Sequence, residues 1–142
     1  MSKIYHLERF TWAQKNDFAV ALKEIKEGRK RSHWMWYIFP QVQGLGLSEN
    51  SKFYAITGLD EAKAFLQHPL LGSRLIIICN ELLALKTNDA HAIFGSPDDA
   101  KLKSSMTLFA SVPNAETVFQ QVLDQFFGGV KDDQTLRILG IV

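Results

Sequence analysis

The sequence predicts an all-α fold, a single compact domain spanning residues 1–142 with about six to eight helices around a buried central helix. Three observations carry that expectation. Apolar residues recur at three- and four-residue steps in several stretches, helix start and stop residues bracket those stretches, and no clear period-two hairpin appears outside the ambiguous segments. With 142 residues, 46% of them hydrophobic and 22% charged, the chain is sized for one domain with a real core. It has no fixed-period repeat, low-complexity tract or linker, and its four prolines (Pro40, Pro69, Pro97, Pro113) punctuate separate elements.

The first helix is expected over Asp17 to Glu27, where Phe18, Ala21, Leu22 and Ile25 form an apolar stripe. Lys23, Glu24, Lys26 and Glu27 fall on its opposite face, and Gly28 stops it. Ser48 is placed to cap a short helix near Ser51 to Ile56. Leu59 to Leu66 is rich in helix formers and ends at His68-Pro69, because a residue before proline is pushed out of the α region.

From Leu70 to Leu85 the pattern is apolar nearly all round. Ile76-Ile77-Ile78 alone would suit a buried strand, but about 16 continuous residues exceed most strands, so a helix is predicted and taken as the central, most buried element. Ser96-Pro97-Asp98-Asp99 reads as a start signal, with Ser96 as cap and a helix running to about Ala110. A further helix runs from Ala115 to Phe127, with Val118, Val122, Leu123 and Phe126 inward and Gly128-Gly129 ending it. Asp132 or Asp133 then caps a short last helix carrying Leu136, Ile138 and Leu139.

Several function classes lose support at this level. Sixteen Lys plus Arg against fifteen Asp plus Glu give a formal charge of +1, too little for a global field that would gather nucleic acid or an anionic membrane. Cys79 alone permits neither an internal disulfide nor a cysteine-based metal cage, which suits a reducing cytoplasm. Met1 to His6 lacks the apolar run of a secretory signal and reads as the natural start of the domain. The apolar runs Trp34 to Phe39 and Leu75 to Cys79 fall far below the roughly 20 residues that cross a bilayer, so no membrane partner is expected. The histidines His6, His33, His68 and His91 form no metal motif, no Gly-x-Ser-x-Gly occurs, and Cys79 sits in an apolar run where a thiol is inert. No metal and no cofactor is expected, and whether there is turnover stays open.

Two segments hold the unusual residues. The run Arg29-Lys30-Arg31-Ser32-His33-Trp34-Met35-Trp36-Tyr37-Ile38-Phe39-Pro40-Gln41 places three cations before a dense group of aromatics. Such clusters are more often packing, a core plug with both indoles inside and the cations solvated beside it. The sharper alternative is a pocket wall, in which Trp34 and Trp36 stack a flat ligand and His33 and Gln41 supply hydrogen bonds at the rim. A phosphate-contacting patch for nucleic acid at Arg29, Lys30 and Arg31 is the weakest of the three, since three cations on a near-neutral chain are few. The following loop, Gln43 to Ser51, lacks the lysine and glycine spacing of a phosphate-binding loop and more simply turns the chain.

In the second segment, Ile93 to Phe109, Leu102, Met106 and Phe109 share one helical face and Asp98, Lys101 and Ser105 another. Its N-terminus suits an anion. Asp98 beside Lys101 reads as an ordinary i, i+3 pair before it reads as a general base, while Ser104, Ser105 and Thr107 have no helix-propensity reason to be there.

These motifs, together with Gly44-Leu45-Gly46 and Ser48, His68-Pro69-Leu70-Leu71-Gly72, Ile93-Phe94-Gly95 and Lys101-Leu102 through Phe109, resemble the bacterial domain of unknown function 1810 family over nearly the whole chain. The resemblance implies a compact, mostly helical cytoplasmic domain, often standing alone, and brings no activity with it. The calpastatin label sometimes attached to such proteins fits nothing here, because no segment has the composition of a disordered protease-inhibitor repeat. Where the family pattern commonly has a polar or acidic residue, this chain has Ile77, which argues against catalysis on the Leu70 to Leu85 helix.

The leading functional expectation is a small-molecule pocket, possessed of enzymatic turnover or not, lined by the Ser32–Gln41 and Ser96–Phe109 segments. His33, Trp34, Trp36, Gln41, Lys101 and Ser105 would contact a small anionic or aromatic ligand. The alternative is an adaptor module that offers Trp12, Trp34 or Phe127 to an undefined protein partner, with nucleic-acid binding third. The leading expectation requires the two segments to meet at one concavity.

Overall fold

The structure, a computed structural model, describes residues 4–141; Met1 to Lys3, part of the segment read as the natural start of the domain, and Val142 lie outside the described residues. Among the described residues the chain forms nine α-helices and no strand beyond one isolated bridge. They are α1 (Glu8–Lys26), α2 (Met35–Ile38), α3 (Glu49–Phe53), α4 (Leu59–Gln67), α5 (Leu71–Ala84), α6 (Ala90–Phe94), α7 (Asp98–Ala110), α8 (Val118–Phe127) and α9 (Asp133–Leu139). The bridge pairs Val42 with Ile56 in parallel. Gln43 N–H donates to Ile56 O at 2.7 Å and Ile56 N–H to Gln41 O at 2.9 Å, closing the loop that carries α3.

The all-α class is confirmed, but the innermost helix is not the expected one. Helix α5 buries Leu71, Leu75, Ile78, Cys79 and Leu82 while Ser73, Ile77 and Asn80 face outward. On α7, by contrast, every residue from Ser104 to Phe109 is buried, between α4, α6, α8 and α9. A helix buried on this many sides has to satisfy most of its polar groups locally. Ser104 donates to Ala100 O at 3.1 Å and Thr107 to Lys103 O at 2.8 Å, the back-bonding that lets hydroxyls sit inside a helix bundle. Thr107 Oγ1 also accepts the Asp132 N–H at 2.9 Å, which ties the start of α9 to α7.

Helix starts show which signals were sufficient. Ser48 caps α3 through the Ser51 N–H, and Asp132 caps α9 through the Thr135 N–H at 3.0 Å, as expected, although α3 covers Glu49–Phe53 and stops short of the expected Ile56, which pairs with Val42 instead. Ser96 does not cap α7: Pro97 occupies that position, one residue later than expected, so the Ser96 hydroxyl falls outside the first turn. The carboxylates of Asp98 and Asp99 serve the positive helix end instead. Helix α8 begins at Val118, after the expected Ala115, and ends in left-handed Gly128. Helix α1 begins well before Asp17, because Phe10 and Gln14 are already buried in its first half.

The α4–α5 corner explains His68-Pro69-Leu70-Leu71-Gly72. His68 Nδ1 accepts the backbone N–H groups of Leu70 and Leu71, both at 3.2 Å, supplying the missing acceptor at the start of α5. A Cβ on Gly72 would lie 2.1 Å from the Leu66 carbonyl oxygen, so only glycine permits this approach of α5 to α4. Across from the corner, Glu61 is buried but accepts from Arg9 at 2.9 Å and from the Thr57 N–H at 2.8 Å, joining α1 to α4.

Candidate functional site at the lysine and tryptophan node

The first unusual segment is organised from α1. Glu24 was expected on the solvated face, yet it is 7% exposed. The reason is the returning chain after Gly28, whose N–H groups need an acceptor. Glu24 accepts from Arg31 N–H at 2.9 Å, Ser32 N–H at 3.0 Å, the Ser32 hydroxyl and the Trp34 indole N–H at 2.9 Å. Burial alone would raise its carboxyl; the hydrogen bonds from Ser32, Arg31 and Trp34 outweigh that and bring it down to about 2.

This anchoring places Trp34 in the core at 1% exposure, where its ring stands against Phe39 and Phe94. Tyr37 is held nearby, its hydroxyl donating to Asp17 while the Gln14 amide donates to its carbonyl at 2.8 Å. Of the three aromatics offered to the adaptor alternative, Trp34 is therefore not exposed, Phe127 is partly buried against the core, and Trp12 is 76% exposed.

The two unusual segments meet through charges. The Lys30 ammonium lies 4.9 Å from the centre of the Trp34 ring and the Lys101 ammonium 5.4 Å from that of Trp36. Each indole thus carries a cation over its face. Asp98 joins the two, with Oδ2 at 2.9 Å from Lys30 and Oδ1 at 3.5 Å from Lys101. Asp98 is consequently more than the i, i+3 surface partner of Lys101; it spans from α7 to the segment after α1. Trp36 is partly buried and its indole N–H has no partner among the described residues.

His33, Gln41 and Ser105 take no part in those contacts. His33 is exposed, Gln41 is partly buried with its carbonyl engaged by Ile56, and Ser105 is fully buried with an unpartnered hydroxyl. A cleft of about 400 Å3 adjoins the node instead, lined by residues 29–30 and 91–95, among them Arg29, Lys30, His91 and Gly95. The Lys30 N–H donates to Ile93 O at 2.7 Å and fixes the distance between its two walls. Three basic side chains and no acidic one line this cleft. Asp99 stands behind it, 3.3 Å from His91 Nδ1. Sequence reading left His91 out because a single histidine in the five-residue helix α6 carries no spacing signal.

Among the described residues no group of three or more His, Cys, Asp or Glu side chains could hold a metal ion, and no helix is long and apolar enough to cross a membrane. Cys79 is fully buried, its Sγ 3.7 Å from Met106 Sδ, and burial pushes its thiol up.

A family model described as a protein of unknown function (DUF1810) matches residues 4–139. The chain belongs to the DUF1810 family. The conserved hypothetical protein Rv1873 from Mycobacterium tuberculosis, known from a crystal structure at 1.38 Å, is similar to it, with 43% sequence identity and a TM-score of 0.92 over 96% of this chain and 97% of that one. No curated protein matches. In this DUF1810 chain, His68 to Gly72 builds a helix corner, whereas the Arg29–Gln41 and Lys101–Phe109 motifs supply the two halves of the node.

Proposed function

We propose that this DUF1810 chain binds a small anionic molecule in the cleft between residues 29–30 and 91–95. The observation that supports this reading is a rim holding Arg29, Lys30 and His91 without an acidic residue. Lys30 is shared among the Ser32 carbonyl, the Trp34 face and Asp98, and Lys101 sits at the longer arm of the same carboxylate. Arg29 and His91 are the exposed cationic side chains of that rim, and with Asp99 3.3 Å from His91 Nδ1 an incoming anion is met chiefly by Arg29.

The test is titration of the protein with phosphate, pyrophosphate and AMP, followed by calorimetry and by Trp fluorescence. Arg29→Ala and His91→Ala change exposed side chains and leave the core intact. Each is expected to weaken binding by about two- to tenfold, with affinity falling as salt rises. Binding that ignores both substitutions, or none of the three anions binding, would place the function elsewhere.

The adaptor alternative is supported by a different observation: Trp12 at 76% and Phe53 at 58% exposure flank a cleft of about 470 Å3 with Tyr54. It predicts a stoichiometric protein partner that is lost on Trp12→Ala while the fold is kept.

A further inference from the structure

A second cleft shares no residue with the lysine and tryptophan node. It lies between α4, α5 and the connection from α7 to α8, with a volume of about 430 Å3, inside the range of roughly 300–1,000 Å3 usual for small-molecule sites. Ile76 and Val112 are among its apolar lining, and Lys63, Gln67, Asn114 and Glu116 are its polar lining.

The charge pattern selects the ligand class. Lys63 enters from α4 and Glu116 from the α7–α8 connection, and neither is engaged in an ion pair or a side-chain hydrogen bond with another described residue. A simple anion would meet Glu116 as well as Lys63, and a simple cation would meet the reverse. An uncharged apolar molecule would leave both charges to water. A small zwitterion with an aliphatic body satisfies all three kinds of lining at once.

We propose that this cleft binds a free aliphatic α-amino acid. Its carboxylate is met by Lys63, its ammonium by Glu116 and its side chain by Ile76 and Val112, while the Gln67 and Asn114 amides complete the polar rim.

The experiment is a two-dimensional amide NMR titration of the full chain with leucine, 4-methylpentanoate, isopentylamine and the dipeptide Ala-Leu, each to about 50 mM. Leucine is expected to shift resonances of residues 63–67 and 112–116 saturably, and the two singly charged analogues to shift them far less. Lys63→Gln and Glu116→Gln, both at exposed positions, are each expected to weaken leucine by about two- to fivefold, the effect of one solvent-exposed ion pair. No saturable shift with leucine overturns the proposal. So do equal responses to the singly charged analogues, indifference to both substitutions, or a response to the dipeptide alone.

Discussion

The Trp34 indole N–H donates to Glu24 Oε1 at 2.9 Å, so the one polar atom of a core ring is anchored to a carboxylate on α1. The same carboxylate takes the Arg31 and Ser32 N–H groups and thereby fixes the backbone on both sides of Arg31. Lys30 is set by this arrangement: its ammonium lies over the ring that Glu24 holds, and its own N–H reaches Ile93. A residue on the first helix thus decides where a cation stands at the proposed anion cleft.

Glu24→Gln should destabilise the fold by about 3 kcal/mol at pH 7, the equivalent of lowering a carboxyl from 4.5 to about 2. Because the folded-state value lies below the ordinary one, the stabilisation is complete above about pH 4.5 and is lost as pH falls toward 2. Urea unfolding of both proteins at pH 7 and pH 2.5 checks this. The gap between them should narrow at the lower pH, and an unchanged gap would show that the carboxylate charge is not its source.

Gly72→Ala should cost about 2 kcal/mol or more, since a Cβ 2.1 Å from the Leu66 carbonyl forces two packed helices apart. Thermal unfolding should show a Tm lower by about 6 °C or more. Ala at Gly58, where a Cβ meets nothing within 4 Å, serves as the steric control.

Ser105 and Thr107 should respond in opposite ways although both are fully buried. Ser105→Ala removes an unpartnered hydroxyl and should be neutral or stabilising by about 1 kcal/mol. Thr107→Val keeps the shape but strands the Asp132 N–H, and should cost about 1–3 kcal/mol. Denaturant midpoints of the two variants decide the matter.

Cys79 should be inert to a disulfide reagent in the folded protein and react at once in denaturant, because burial both hides the thiol and disfavours its thiolate. The labelling rate under native conditions should rise with added denaturant as the core opens. Fast labelling in buffer alone would contradict the placement of Cys79.

The helical class was legible because α4, α5, α7 and α8 carry long apolar patterns with recognisable ends. Short α2 and α6 were not, since Met35–Ile38 and Ala90–Phe94 are too brief to show a period and take their shape from tertiary packing. Glu24 was misplaced for a similar reason: its face of α1 is polar, and only the returning chain shows that this polarity is an acceptor for the following loop. The meeting of Trp36 with Lys101 was legible as two odd segments that belong together. Lys30 spanning to Asp98 was not, because no local spacing relates residues on either side of the fourth and fifth helices.

The contact of Gly72 with Leu66 has a bearing on how the second cleft would work. With no side chain between them, α4 and α5 meet backbone against backbone at this corner. A guest entering beside them meets a finished mould, so discrimination there rests on fit from the outset, with little reorganisation to offset on arrival.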